Sequence, residues 1–313
     1  MKNLIVSTSP HLHSGASTRS IMRDVLIALA PAVIASVILF GINAFLVLLV
    51  CTASCVLSEL VFNLIVKKKQ TVSDLSAAVT GVILGLSLPA HAELWQCAIG
   101  GIFAIIVVKC LFGGIGANFA NPAATARILL LLAFTSMGGG AITNFMPELV
   151  GGATPLEILK SSDHWALPSL FDMLVGNRAG SIGETCAIAL IIGFVYLVAR
   201  RVIKWYVPVT YVGTVFLLTL IIEGSALTAT YHVLAGGLLF AAIFMATDYV
   251  TTPLSSLGKV VFALGCGVIT VLIRLYGSYP GGVSFAILIM NILSPYIEKL
   301  CARRAFGGKK NEK

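Results

Sequence analysis

The sequence predicts an all-α polytopic membrane protein of about ten transmembrane helices, arranged as two inverted five-helix repeats with broken helices. Three observations carry this prediction. Of the 313 residues, 58% are hydrophobic and 11% charged, against ~25% charged residues in a soluble domain. The mean hydropathy of +0.98 comes from long apolar runs separated by short polar breaks. The basic residues behind the net charge of +8 stand in clusters at the ends of those runs. That is the pattern of cytoplasmic membrane loops and not of a nucleic-acid-binding patch.

Residues 1–20 are expected to form a polar arm and no cleavable signal peptide, and Arg19 and Arg23 flank the start of the first apolar run. The first segment is expected from about Ile21 to Phe40 and the second from Ile42 to Val66, closed by Lys67-Lys68-Lys69. A third, shorter segment runs from Asp74 to Leu88 and breaks at Pro89, and a fourth from Trp95 to Leu111. The glycine-rich stretch Phe112 to Asn118 then leads through Asn121-Pro122 into a fifth helix reaching Phe134. After a polar interval come segments from Glu184 to Val202, Tyr206 to Ile222, Tyr231 to Thr247, Leu257 to Leu275 and Pro280 to Ile297.

With the N-terminus placed in the cytoplasm, Lys67–Lys69, Arg200–Lys204, Lys259 and the basic tail all fall on the cytoplasmic side. The positive-inside rule therefore puts both termini in the cytoplasm and the 137–183 loop on the outer face of the cell membrane. Each half holds two ordinary helices, a short glycine-rich one, a longer one ending in a base (Lys109 or Arg274), a glycine break and a last helix. The breaks are Phe112–Asn121 and Gly277–Gly282. Five spans per half make the repeats inverted, and such folds place ligand sites at their interface, at the ends of broken helices. The organisation is then a cytoplasmic arm 1–20, a first repeat 21–136, an extracytoplasmic loop 137–183, a second repeat 184–298 and a basic tail 299–313.

The seven cysteines include no Cys-x-x-Cys pair, and no His or Cys stands at a metal-ligand spacing. No iron–sulfur cluster, haem or zinc held by this chain is expected, and no catalytic triad or phosphate loop stands out. The candidates are polar groups in or near apolar segments, which are costly there and functional by default. Asn118 and Asn121 flank the start of the fifth helix, and each amide can hold a heterocyclic ring edge. Arg127 either serves a site or snorkels to the cytoplasmic surface, and Lys109 has the same two options. Glu184 opens the sixth helix and Asp248 closes the eighth, as capping and turn residues or as functional groups. In the long loop, Gly151-Gly152-Ala153-Thr154-Pro155-Leu156 leaves backbone approachable and offers one hydroxyl. Thr154-Pro155-Leu156-Glu157 is also a capping box, so Thr154 either starts a short helix or does more. Two classes remain from the residues alone: a solute transporter or channel, and a membrane redox subunit carrying an organic cofactor.

At the motifs, the chain resembles the RnfD family, the D subunits of ion-translocating Rnf ferredoxin:NAD oxidoreductase complexes, related to the B subunits of sodium-pumping NADH:quinone oxidoreductases. The resemblance runs through Ser9-Pro10-His11, Ser20-Ile21-Met22-Arg23-Asp24-Val25, Asp74-Leu75-Ser76-Ala77 and Val79-Thr80-Gly81. It continues through Lys109 to Asn118 with Asn121-Pro122-Ala123, Gly180-Ser181-Ile182-Gly183-Glu184-Thr185, Met245-Ala246-Thr247-Asp248, Val250-Thr251-Thr252-Pro253 and Tyr279-Pro280. It implies FMN joined through its phosphate to Thr154 by a phosphodiester bond, installed by a separate flavin transferase reaching an exposed loop. Glu148 stands where the family usually has Asp and Gly151 where it has Ser or Thr, while Gly152-Ala153-Thr154 matches. It also implies a non-covalent riboflavin towards the cytoplasmic side, at Asn118 and Asn121. Ala120 replaces the usual Phe there, and Gly281 stands where an acid is frequent. The implied role is a flavin-bearing subunit, without catalysis of its own, in a complex with iron–sulfur, flavin and other membrane subunits that moves Na+ or H+. The alternative is a flavin-free transporter or channel.

Overall fold

A computed structural model describes residues 17–134, 137, 153–161, 167–277, 279 and 281–301. The polar arm up to residue 16, Gly151-Gly152, Glu148 and the tail beyond Cys301 lie outside the described residues.

The elements are helical and follow the apolar runs: α1 (Thr18–Phe40), α2 (Ile42–Ile65), α3 (Ser76–Ser87), α4 (Leu94–Cys110), α5 (Pro122–Ala133), α6 (Pro155–Lys160), α7 (Leu170–Val175), α8 (Ala187–Ala199), α9 (Tyr206–Glu223), α10 (Ala226–Leu234), α11 (Leu238–Phe244), α12 (Ser256–Tyr276) and α13 (Val283–Cys301). Five of them, α1, α2, α9, α12 and α13, are long and apolar enough to cross a bilayer. The pair α10 and α11 passes the same test as one span bent by 56°. Helices α3, α4, α5 and α8 are shorter apolar helices. With the bent pair they complete the predicted segments one for one, and the chain is a multi-pass membrane protein.

The eighth segment differs from its expectation. It begins at Ala226, not Tyr231, and it is not one helix, because Ala235-Gly236-Gly237 breaks it. Gly236 has φ +65°, which a side chain disfavours. The break was hidden because Val233-Leu234 before it and Leu238 to Phe244 after it are apolar, and hydropathy alone reads through a glycine pair. The second half of α4, Phe103–Cys110, is a π-helix, a feature that often marks functional positions.

Packing in the first half recurs in the second. α2 packs on α3 and on α4, as α9 packs on α10 and on α12, while α1 meets α8 and α5 meets α13. Lipid supplies no hydrophobic drive between helices, so small residues must let backbones approach. A Cβ on Gly101 of α4 would run into Ser54 Oγ of α2, and one on Gly267 of α12 would stand 2.6 Å from Thr214 Cβ of α9.

Short helices expose polar backbone ends inside the bundle, and each must find a partner. The end of α3 is met by the loop before α8: Ile182 N–H donates to Leu88 O (2.9 Å) and Gly183 N–H to Leu86 O (2.7 Å). Asn121 Oδ1 caps α5, accepting from Ala123 and Ala124 N–H, both at 3.1 Å. The end of α10 is met by a side chain of α12, Arg274. The ends of α3 and α10 are thus satisfied from distant parts of the chain, and this fixes those breaks where the two halves meet.

Candidate functional site

Two cavities lie between the halves, and they share the seam of α3 and α5 with α11. The first has a volume of about 460 Å³. Its walls are the end of α3, the middle of α5, the start of α6, the glycine break before α11 and the start of α13. Thr154, Glu157, Arg127, Glu184 and Gly236 all line it. The second is smaller, about 100 Å³, and is lined by Asn118, Asn121, Lys109, Thr80 and Asp248. Phe240 faces the first cavity and Phe244 the second, with ring centroids 5.6 Å apart. A third, of about 330 Å³, adjoins at Asn118 and Phe119 and is lined by the 250–254 loop and the last turns of α13.

Thr154 does what its local sequence predicts and more. Its Oγ1 accepts from Glu157 N–H (3.3 Å) and its own N–H donates to Glu157 Oε2 (2.6 Å), a complete capping box. The residue is half-buried and stands in a cavity wall, less open than the exposed loop the resemblance implies. Helix α6 is carried inward because Leu156 and Ile158 are buried, Leu156 in a small core with Met173 and Tyr231. That core draws the hydroxyl against the seam, an effect of packing that the loop sequence does not display.

Arg127 does not snorkel. Its Nη1 donates to Met137 O (3.1 Å), and the side chain lines the first cavity beside Thr154 and Glu184. Glu184 does not open a helix. Helix α8 starts at Ala187, and Glu184 stays in the preceding turn, where its Oε1 accepts from Ser181 N–H (3.0 Å). A tight turn through Gly183, packed on Leu86, delays the helix by three residues. Beneath it lies Arg178, only 1% exposed, donating to Glu184 O (2.6 Å) and Thr185 O (3.3 Å). Burial pushes its guanidinium down to about 10, opposed by the nearby Glu184, so it stays charged at neutral pH.

Lys109 does not snorkel either. Its Nζ donates to Glu59 Oε1 and Oε2, both at 3.0 Å, and to Ser76 Oγ at 2.5 Å. Thr71 Oγ1 donates to Glu59 Oε1 (2.6 Å), and Asp74 Oδ1 accepts from Ser76 Oγ (2.6 Å). Asp248 does not close a helix: α11 ends at Phe244, and Asp248 accepts from Val250 N–H (3.2 Å) and Thr251 Oγ1 (3.1 Å) in the following turn. Burial raises its carboxyl above the ordinary range, while these two hydrogen bonds pull the other way.

Asn118 and Asn121 come together at the second cavity, in different states. Asn121 is committed as the cap of α5, with its Nδ2 donating to Met245 O (3.4 Å). Asn118 Oδ1 is buried without a hydrogen-bond partner among the described residues. Among the described residues no group of three or more His, Cys, Asp or Glu side chains could hold a metal ion.

Residue-by-residue reading passed over Glu59 and Arg178. A signal for Glu59 existed: a lone acid in the second apolar run and a lone base in the fourth, each too costly to leave unpaired in hydrocarbon. For Arg178 no comparable signal exists, because it stands in the polar loop.

Comparison with known proteins places these features in a lineage. The model of the NQR2, RnfD, RnfE family matches residues 5–307. The D subunit of a Na+-translocating ferredoxin:NAD+ oxidoreductase complex from Acetobacterium woodii is 41% identical over 315 residues, covering 99% of this chain and 98% of that protein. Its counterpart in the proton-translocating ferredoxin:NAD+ oxidoreductase complex of Clostridium ljungdahlii is 38% identical over 328 residues, covering 99% and 98%. The D subunit of an ion-translocating oxidoreductase complex from Halorhodospira halophila is 35% identical, covering 95% and 94%.

Proposed function

The chain belongs to the NQR2, RnfD, RnfE family, and from that premise we propose that it is the flavin-carrying membrane subunit of an Rnf-type complex, holding FMN on Thr154. Its role as a subunit of an ion-translocating oxidoreductase rests on relatives matched over nearly their full length. The flavin reading rests on one observation above the others: Thr154 lines a cavity of about 460 Å³ at the seam of the two halves. That volume lies within the ~300–1,000 Å³ of ligand pockets.

The residues around the cavity fit FMN. Thr154 supplies the hydroxyl for a phosphodiester, a weak nucleophile that needs a separate flavin transferase to be esterified. Gly236 and Gly237 line the cavity, and the space a Cβ on Gly236 would take is filled by Leu156, 2.6 Å away, so only glycine lets the break pack this closely behind the wall. Leu86, Leu131 and Phe240 give the apolar faces that exclude water from it. Arg127 places a cation in the same wall. Bound FMN would supply the electron transfer; the protein sets its position and electrostatic surroundings.

Riboflavin at Asn118 and Asn121 has narrower support. The cavity the two residues share is about 100 Å³, below the range for such ligands, and Asn121 is already occupied as a helix cap. Among the described residues that line it, Asn118 Oδ1 is a buried side-chain acceptor without a partner, and a ring N–H could use it. In the orientation that the basic clusters favour, the Thr154 cavity opens towards the outer face and both termini lie in the cytoplasm. Partner subunits with iron–sulfur and flavin centres would deliver and remove the electrons, and the complex would move Na+ or H+.

Denaturing gel electrophoresis under ultraviolet light tests the assignment, using the chain co-expressed with a flavin transferase. The wild-type band is expected to fluoresce and the Thr154→Ala band to be dark. A dark wild-type band would favour a flavin-free transporter with solute in the same cavity.

A further inference from the structure

Arg274 is the charged group whose surroundings the assigned roles leave unexplained. It is 3% exposed near the end of α12. Its guanidinium donates to three backbone carbonyls: His232 O, Ala235 O (3.2 Å) and Gly281 O (3.4 Å). The first two belong to the end of α10 and the third to the turn before α13, so one side chain joins both breaks of the second half. No ion pair among the described residues includes it. Carbonyl dipoles lower the cost of burying the charge, but they leave its field unneutralised.

Lys109 occupies the corresponding place in the first half, near the end of α4. There the charge is cancelled by Glu59, held by both carboxylate oxygens. A cap for carbonyls alone would not need a permanent charge, and the first half shows a buried charge neutralised by a carboxylate. In the second half no carboxylate among the described residues pairs directly with Arg274, and Glu184 acts on it only at a distance, which points to a use for the field.

The field falls on the Thr154 cavity. Gly236 and Gly281 line that cavity, and a Cβ built on Gly236 would stand 3.2 Å from Arg274 Nη2. The guanidinium thus lies one backbone thickness behind the wall. The other charges at this wall are Arg127, Glu157 and Glu184, with Arg178 behind Glu184. Three guanidinium groups therefore face two carboxylates, and those carboxylates are engaged by Thr154 N–H and Ser181 N–H.

We infer that Arg274 is a positioning residue that holds the two breaks together and, through a charge that no carboxylate among the described residues pairs directly, raises the reduction potential of the group in the Thr154 cavity. The inference rests on the flavin reading above. When a chemical reductant such as dithionite gives electrons to that group, the added negative charge forms next to a surplus positive charge inside a poorly screened wall. Reduction is favoured accordingly.

The test is a spectroelectrochemical titration of the flavinylated full chain in detergent, with band fluorescence recorded for each variant. Arg274→Gln is expected to shift the midpoint potential to a more negative value, and Arg274→Lys to leave it close to wild type. Glu184→Gln, which keeps an acceptor for Ser181 N–H and removes a negative charge, is expected to shift it to a more positive value. A fluorescent Arg274→Gln protein with an unchanged potential would reduce Arg274 to a structural clamp. Should that variant fail to accumulate, an unchanged potential in Glu184→Gln would overturn the inference equally. Failure of the flavin reading itself is distinguishable, because the wild-type band would then be dark before any titration.

Discussion

Asparagine at position 154 separates the two roles of the residue. Threonine there caps α6, and the cap is worth about 1 kcal/mol, within a ~0.5–2 kcal/mol range for replacing such residues by alanine. Helix α6 has six residues, too few to be stable alone, so it depends on the burial of Leu156 and Ile158 more than on its cap. Losing the cap therefore costs about a fifth of a ~5 kcal/mol stability at the low end of the usual range, and the protein still folds. Asparagine is as good a cap as threonine because its Oδ1 can accept the same N–H, but it has no hydroxyl to esterify. Thr154→Asn should thus accumulate and melt like wild type, while its gel band loses all ultraviolet fluorescence. Thr154→Ala should lose the fluorescence and also melt slightly lower, by ~1–2 °C for a loss of ~1 kcal/mol in a chain of this size. The assays are in-gel fluorescence and a thermal-shift measurement in the same detergent. A fluorescent Thr154→Asn band would refute attachment at this hydroxyl. A non-fluorescent band with wild-type melting would show that the hydroxyl serves more than the helix.

Other consequences follow from the packing. Glu59→Gln or Lys109→Met alone leaves a buried charge without its partner and should cost ~3–5 kcal/mol, seen as a loss of folded protein on size-exclusion chromatography. The double variant should recover most of that loss, and failure to recover would place the role of the pair outside stability. Gly81→Ala puts a Cβ 2.6 Å from Thr52 Cα, where only backbone can yield, and should cost ~1–3 kcal/mol; Gly213→Ala meets nothing within 4 Å and should melt within about a degree of wild type. Gly236→Ala combines a φ of +65° with a clash against Leu156, and should lower the fluorescent fraction of the purified chain more than its yield.

Much of the fold was legible because lipid imposes simple rules. Long apolar runs had to become helices, and α1, α2, α9, α12 and α13 end within a few residues of where the runs end. The pairing of a helix break with Asn121-Pro122 was legible for a local reason as well, since proline follows a capping side chain at the start of α5. The bent span at Ala235-Gly236-Gly237 was not, because its stop depends on Arg274, which lies 39 residues beyond Ala235 and 42 beyond His232. Glu184 illustrates the same limit: an acid before an apolar run reads as a helix start, yet the packing of Gly183 against Leu86 postpones the helix to Ala187.

The chain by itself determined the membrane class, the order of the helices and the family, because each depends on composition, period or a contiguous motif. What only the tertiary structure decided is which polar groups meet. Lys109 finds Glu59 across 50 residues, and Arg274 reaches the carbonyls of another helix's end. Thr154 is drawn from a loop into the wall of a cavity between the halves. The physical reason is one of range: hydropathy and capping act over a turn or two of chain, whereas a buried charge or a helix end is satisfied only by whatever folding brings within about 3 Å of it.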